Sequence, residues 1–279
     1  MRLPFTRYFK GKKLRSNPPP LFEGQSHHLI FHFSYHKCMT SFFQKVYGQI
    51  GQEFGFFHKH YNAVWDDFRK EALAKDRKIK ILSVNNVPID LDGIPEYRGT
   101  HLIRDPRDLL VSGYKYHLWC NEEWVKIPMS DKFKSMICLN ELSVSNDVSE
   151  SYQQLLNRVD STSGYFLEYH WRKRHYNQML NWDYSNPDIL EIKYEQLFNN
   201  EVNIFETIFR HIGVQEKLIE KCKSVVERHS FKNLKEQGKT GNRMHASKGI
   251  PNQWQSEIPD TISDLFHREQ SKLIKLLDY

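Results

Sequence analysis

No window of 18 uninterrupted apolar residues occurs in the chain, so no membrane-spanning helix is expected. Cysteine is scarce. Cys38, Cys120, Cys138 and Cys222 stand far apart and form no CxxC pair. That spacing argues against a metal site and fits free thiols in a reducing, cytoplasmic compartment. Surplus positive charge is missing from the body of the chain. The net charge of +6 equals the six basic residues Arg2, Arg7, Lys10, Lys12, Lys13 and Arg15, which leaves 34 basic against 34 acidic side chains elsewhere. A balanced body has no field for sequence-independent nucleic-acid binding, so no nucleic-acid partner is expected. Residues 1–26 read as a flexible basic leader around Pro18-Pro19-Pro20, able to make only weak contact with an anionic membrane surface. It lacks the apolar run of a secretory signal. Repeats and further low-complexity segments are absent as well.

What is present suits one globular domain over residues 27–279. Hydrophobic residues make up 39% of the chain and aromatics 14%, enough for a substantial core. Buried-strand patterns occur at 29–33, 54–57, 79–84, 99–103 and 189–192. Helical spacing follows from Thr40 through Phe42, Phe43, Val46, Tyr47 and Ile50, then over 61–76, from Pro106, over 151–182, through 202–209 and near 215–228. Residues 118–150 are polar and irregular, a lid-like insert carrying Trp119, Trp124, Phe133 and Met136; these suit an aromatic-lined site or ordinary lid packing equally. Strands alternating with helices predict an α/β fold: a doubly wound, parallel central sheet with helices on both faces. Ligands then belong at the carboxyl ends of the strands.

Two strand-to-helix junctions carry chemistry. The first reads Ser34-Tyr35-His36-Lys37-Cys38-Met39-Thr40-Ser41-Phe42. A lysine and two hydroxyls at a helix N-terminus offer a point charge, short donors and free N–H groups to an anion. The loop has no glycine, so it is not a Walker A motif, and a capped helix with a solvated lysine is the plainer alternative. The second reads Arg104-Asp105-Pro106-Arg107-Asp108, with Ser112 eight residues after Arg104. An arginine at a strand end and a serine two turns into the next helix can grip one anion from two sides.

This pair of segments, HKCMTSF and LIRDPRDLLVSGYKYH, resembles the two cofactor loops of sulfotransferases that use 3′-phosphoadenosine 5′-phosphosulfate (PAPS). In that family the first loop reads P-K-S-G-T-T-W and holds the 5′-phosphosulfate, while an arginine and a serine eight apart hold the 3′-phosphate. The resemblance implies a P-loop-like sulfotransferase fold and transfer of a sulfuryl group from PAPS to a hydroxyl or amine, leaving 3′,5′-ADP. It implies that Lys37, Cys38, Met39, Thr40, Ser41 and Phe42 form the 5′ loop, with Lys37 also catalytic. Arg104 and Ser112 would form the 3′ pair. Tyr194 lies in a stretch similar to Y-E-D-L, and Phe231 in one similar to the family's S-F element. Ser247, Lys248 and Gly249 match R-K-G of R-K-G-x-x-G-D-W. The acceptor would be a small molecule, a lipid or a glycan, and no metal is implied.

Several positions depart from the family pattern. His36 replaces a proline, Met39 the loop glycine, and Ser247 an arginine that Arg243 would have to replace. A positive φ at position 39 would strain a methionine. Asn86 stands where the cytosolic branch has a catalytic histidine, and asparagine is no general base. Glycan-modifying branches place a glutamate at the end of the second strand, which here makes His58 the first candidate for the base, His60 the second and Glu53 the third. Two other readings remain: a P-loop-type kinase, against which the missing Walker glycines count, and a nucleotide-binding module that has lost its base.

Overall fold

A computed structural model describes residues 22, 29–74, 79–145, 147, 149–230, 232–233 and 249–279. The chain builds five parallel strands in the order β2-β3-β1-β4-β5. They are β1 (Leu29–Ser34), β2 (Phe57–Asn62), β3 (Lys80–Asn85), β4 (Tyr97–Ile103) and β5 (Ile189–Lys193). Register is in phase across the centre, with His32 of β1 opposite both Ser83 of β3 and Thr100 of β4. The strand order reverses between β1 and β4, so the loops leaving these two strands diverge and open a crevice.

Side-chain alternation on β1 explains the two layers. Leu29, Phe31 and Phe33 face one core with Tyr61, Leu82 and Val84, covered by Phe68 and Ala72 of α2 (Trp65–Ala72). Ile30 faces the larger core beneath α1 (Thr40–Phe54), whose Phe43, Val46, Tyr47 and Ile50 recur at helical spacing. The same core takes in α3 (Pro106–His117), α5 (Tyr152–Arg158), α6 (Ser161–Leu180), α8 (Glu201–His211) and α9 (Glu216–His229). Caps set several starts. Asp105 accepts from the Arg107 N–H at 2.8 Å ahead of Pro106, and Ser151 and Gln154 close a capping box on α5. The insert folds as a 3₁₀ turn at Glu123–Val125, α4 (Asp131–Met136) and a second 3₁₀ turn at Leu139–Glu141. The helices α7 (Tyr194–Leu197), α10 (Trp254–Glu257) and α11 (Asp260–Leu276) complete the chain.

Three boundaries differ from the sequence expectation. The aromatic run 54–57 is not a strand. Phe54 ends α1, and Gly55 caps it at φ 76 by donating its N–H to the Gly51 carbonyl at 2.9 Å, so β2 begins only at Phe57. Helix α2 consequently starts at Trp65, four residues later than expected. Helix α11 was not foreseen, although Ile262, Leu265, Phe266 and Leu273 follow helical spacing behind Pro259 and Asp260. Of the expected leader only Phe22 is described; it is buried, pairs with Val214 and packs 6.1 Å from the Phe56 ring. Among the described residues no helix is long and apolar enough to cross a membrane. All four cysteines are free.

Helices α3 and α6 can approach only because Gly113 has no side chain. A Cβ there would lie 1.7 Å from Arg172 Nη2 and 2.3 Å from Glu168 Oε1, both in a fully buried ion pair. Gly113→Ala is expected to destabilise by about 3–5 kcal/mol, the range for disrupting a buried pair. Gly48→Ala, whose nearest contact would be an ordinary 3.5 Å, should be neutral or stabilising. Urea unfolding of both variants checks the contrast. Equal stabilities would show that the α3–α6 contact has slack.

Candidate active site

A cavity of about 690 Å³ opens at the carboxyl ends of the strands. Lys37, Met39, Thr40, Ser41, Phe42, His60, Arg104, Ser112, Tyr194 and Gly249 all line it, so the fold gathers most of the residues singled out in the sequence. Cys38 does not reach it. Its thiol is fully buried, and burial raises its pKa to about 12, so it stays protonated. His58 also stands outside, packed against α1 near Gly48 and 6.2 Å from the Tyr47 ring. Glu53 faces α9 instead, accepting from Arg228 at 2.8 Å and from Gln49 at 2.9 Å. Phe231, Ser247, Lys248 and Arg243 fall outside the described residues.

The first loop is held in a conformation that side chains disfavour. Lys37 has φ 73 and Met39 φ 46, both in the region that glycine tolerates best. Contacts from three elements hold it there. The His36 N–H donates to Asn86 Oδ1 at 2.8 Å, and Asn86 Nδ2 donates in turn to Asn62 Oδ1 at 3.0 Å. Ser34 and Thr40 hydroxyls meet at 3.2 Å. Arg172 reaches the His36 carbonyl at 3.5 Å and its Nδ1 at 3.3 Å. Asn86 thus anchors the loop from the place where the resemblance leads one to look for a histidine. The Lys37 ammonium lies 3.7 Å from the centroid of the Tyr116 ring. Burial, with Arg172 and Arg104 nearby, lowers its pKa to about 7.

Arg104 is the side chain best placed to take an anion. It is only 3% exposed, yet its Nε and Nη2 have no hydrogen-bond partner among the described residues. Asp108 stands 3.8 Å away, beyond hydrogen-bond reach, and spends its oxygens on the N–H groups of Asn252 at 2.7 Å and Trp254 at 3.0 Å. The guanidinium lies 4.1 Å from the centroid of the Tyr194 ring, and the Tyr194 hydroxyl donates to the Gly249 carbonyl. Buried guanidinium donors are rarely left unpaired, so this pocket fits a phosphate. Asp108 was not singled out in the sequence, although it is what brings the 249–254 segment to the second loop.

Of the three candidates for the base, only His60 lines the cavity, beside His36 and His229. Its Nδ1 meets the Ser83 hydroxyl at 3.0 Å, and burial, reinforced by His58, lowers its pKa to about 4. The insert supplies the opposite wall through Trp119, Glu122, Trp124, Phe133 and Met136. Glu122 was missed in the sequence, where no spacing ties it to either loop. Away from the cavity, Cys138, Glu141 and His170 bring donor atoms within 4.8 Å of one another, and Cys138 Sγ lies 3.1 Å from His170 Nδ1. Burial raises the Cys138 pKa, so the pair is a thiol–imidazole hydrogen bond.

A family model for the sulfotransferase domain matches residues 96–277. No curated protein sequence matches the chain. Among solved structures it is similar to mouse sulfotransferase SULT7A1 complexed with PAP, at 16% identity and a TM-score of 0.53, over 90% of this chain and 86% of that one. It is also similar to a retinol dehydratase in complex with androsterone and the inactive cofactor PAP, at 13% identity and a TM-score of 0.48, over 94% of this chain and 83% of the other. The first likeness bears on the fold alone. The domain match spans well over half of the chain, which therefore belongs to the sulfotransferase family, an α/β enzyme class of sulfuryl transfer.

Proposed function

We propose that the chain transfers a sulfuryl group from PAPS to the hydroxyl of a small, largely apolar acceptor. The observation that carries this reading is Arg104, a buried guanidinium with two donors that have no partner among the described residues, facing a cavity that Lys37 also lines. Arg104 and Ser112 would hold the 3′-phosphate, with Tyr194 supporting the guanidinium face. Lys37, Thr40, Ser41 and the N-terminus of α1 would hold the 5′ side. The bound donor supplies an activated sulfuryl group. In the transfer a bond forms from sulfur to the acceptor oxygen, the bond from sulfur to the phosphate oxygen breaks, and a proton leaves the acceptor. Lys37 offsets charge growing on the phosphate oxygen. His60, neutral at physiological pH, accepts the proton, with Ser83 fixing its Nδ1. The aromatic side chains of the insert exclude water around the acceptor. A P-loop kinase is the weaker reading, because the first loop has no glycine and Glu122, the one carboxylate lining the cavity among the described residues, is taken up by Tyr116 and Trp124.

Binding of 3′,5′-ADP should be linked to Lys37 protonation. Without nucleotide the Lys37 pKa is lowered by burial to about 7, and a bound phosphate raises that value. Above pH 7 binding must then take up a proton, and affinity should fall as pH rises. Calorimetry at pH 8 in buffers of different ionisation enthalpy should show uptake approaching one proton, lost in Lys37→Met. Equal heats in all buffers would remove Lys37 from the phosphate site.

Arg104→Ala should weaken 3′,5′-ADP far more than 5′-AMP, because only the former carries a 3′-phosphate. A charged hydrogen bond is worth about 1.5–3 kcal/mol, or roughly 10- to 150-fold in affinity. Comparable losses for both nucleotides would place Arg104 at another part of the ligand.

His60→Ala should lower kcat by about 10²–10⁴-fold while 3′,5′-ADP affinity stays near wild type. With a pKa of about 4, the histidine is already neutral above pH 5, so it adds no pH-dependent limb between pH 5 and 8. His58→Ala is the comparison. Should it lose turnover while His60→Ala retains it, the proton acceptor is the residue packed on α1.

A further inference from the structure

Cys138, Glu141 and His170 lie outside the cavity and play no part in the proposed transfer. Their donor atoms all fall within 4.8 Å of one another. Local geometry brings the first two together. Cys138 caps the 3₁₀ turn Leu139–Glu141, and the Glu141 N–H donates to the Cys138 carbonyl at 3.0 Å. Side chains three apart in such a turn eclipse, so a thiol and a carboxylate project from one edge. The cap takes φ 54, a left-handed conformation that cysteine adopts only at a cost. His170 comes from α6 and places Nδ1 3.1 Å from Cys138 Sγ. Packing sets its ring: Phe166 lies 4.4 Å away, and Tyr169 meets it edge-on at 5.4 Å. His170 Nε2 has no hydrogen-bond partner among the described residues, so the ring gives up only its thiol contact to turn a nitrogen toward a metal.

Thiolate, imidazole and carboxylate form a zinc-type ligand set, with sulfur at about 2.3 Å and nitrogen or oxygen at about 2.0–2.2 Å from the ion. Ligands on one tetrahedral ion then stand roughly 3.3–3.6 Å apart. The thiol–imidazole contact is already near that spacing, and the exposed Glu141 can close the rest by side-chain rotation. Calcium or magnesium, which asks for six or more ligands, mostly oxygens, would find one carboxylate. Charge balances as well. A thiolate and Glu141 offset the two positive charges of the ion, while Lys173, whose charge reaches both Cys138 and His170, is paired with Glu269 at 2.8 Å. Access singles out this thiol, because Cys38, Cys120 and Cys222 are buried and Cys138 is partly exposed.

We propose that Cys138, Glu141 and His170 form a binding site for a divalent, zinc-type ion, with a water molecule completing the tetrahedron. The thiol releases its proton to solvent on coordination. Two of the ligands belong to the insert and the third to α6. Met136, which lines the cavity, stands two residues before Cys138. The ion therefore staples the insert's side of the cavity to the scaffold, whatever the acceptor is.

The test titrates the full chain, stripped of metal and kept reduced, with cobalt(II) as a spectroscopic stand-in for zinc. One equivalent should produce a near-ultraviolet thiolate-to-cobalt charge-transfer band and the visible bands of a four-coordinate ion, and zinc should abolish both. Cys138→Ser should remove the charge-transfer band and weaken zinc by about 100-fold or more, beyond the loss from an outer-shell partner. Glu141→Gln should keep the band and weaken zinc by about tenfold or more. Zinc should also raise the unfolding temperature of the wild type, and Cys138→Ser should lose that increment. His170→Ala deletes a buried ring and can unfold the chain; the two insert variants then carry the test, since neither alters a buried residue. No uptake at one equivalent overturns the proposal. Cobalt bound without the thiolate band, or zinc affinity unchanged in Cys138→Ser or in Glu141→Gln, marks binding to other histidines and equally overturns it.

Discussion

One buried carboxylate, Glu168, organises the site from behind. It lies on α6, fully buried, and spends both oxygens: Arg172 Nε at 2.8 Å on one, His117 Nδ1 at 2.8 Å and the Tyr152 hydroxyl at 2.9 Å on the other. Buried charges are tolerable only when saturated in this way. The saturated cluster ties α3, α5 and α6 together, and Arg172 extends it to the carbonyl and ring of His36. His36 in turn faces Glu122. A continuous polar path therefore runs from the core to the first loop and on to the insert. Truncating Arg172 would leave Glu168 buried without its cation, and the first loop would lose its main tether at the same time.

That tether explains how a loop without glycine persists. Left-handed φ at Lys37 and Met39 costs of order 1 kcal/mol or more each. Such strain survives only where surroundings over-determine it. Here Asn86, itself at φ 62, supplies a hydrogen bond from β3, Ser34 and Thr40 close the loop across its own base, and Arg172 pulls from α6. Asparagine suits its place for two reasons: it accepts the left-handed backbone, and its amide can accept from one neighbour while donating to another. A position that could have carried a base is thus committed to posture, and proton transfer has to be sought elsewhere in the wall. His60 is the histidine that β2 turns toward that wall.

Much of the fold was legible because period and punctuation agree locally. The β1 alternation, the helical spacing after Thr40 and the Asp105-Pro106 start each need only neighbouring residues to be read. The 54–57 run misled for a physical reason. A helix end and a strand start, both buried and joined by one left-handed glycine, present the same unbroken aromatic signature as a strand. The shift moved the carboxyl end of β2 from residue 57 to Asn62, and with it the residues that can face the cavity. That Lys37, Arg104 and Ser112 line one cavity was legible because Lys37 stands in one strand-to-helix junction and Arg104 and Ser112 are eight apart in another. Glu122, Asp108 and Arg172 were not. Asp108 acts on Trp254, 146 residues away, and Arg172 on His36, 136 away, while Glu122 meets His36 from the far side of the chain, and no local pattern encodes such pairings.

The charge lining the cavity is lopsided. Among the described residues Lys37, Lys45, Arg104, Lys115 and Arg174 line it against the carboxylate Glu122; Lys115 pairs outside with Glu257 at 2.6 Å, and Arg104 lies 3.8 Å from Asp108. Burial first, and then repulsion from Arg172 and Arg104, lowers the Lys37 pKa. An anion bound here would relieve that repulsion. Coupling of this kind is reciprocal: whatever the anion adds to the protonation of Lys37, that protonation adds to the affinity of the anion. The linkage follows from charge alone, with no moving part required.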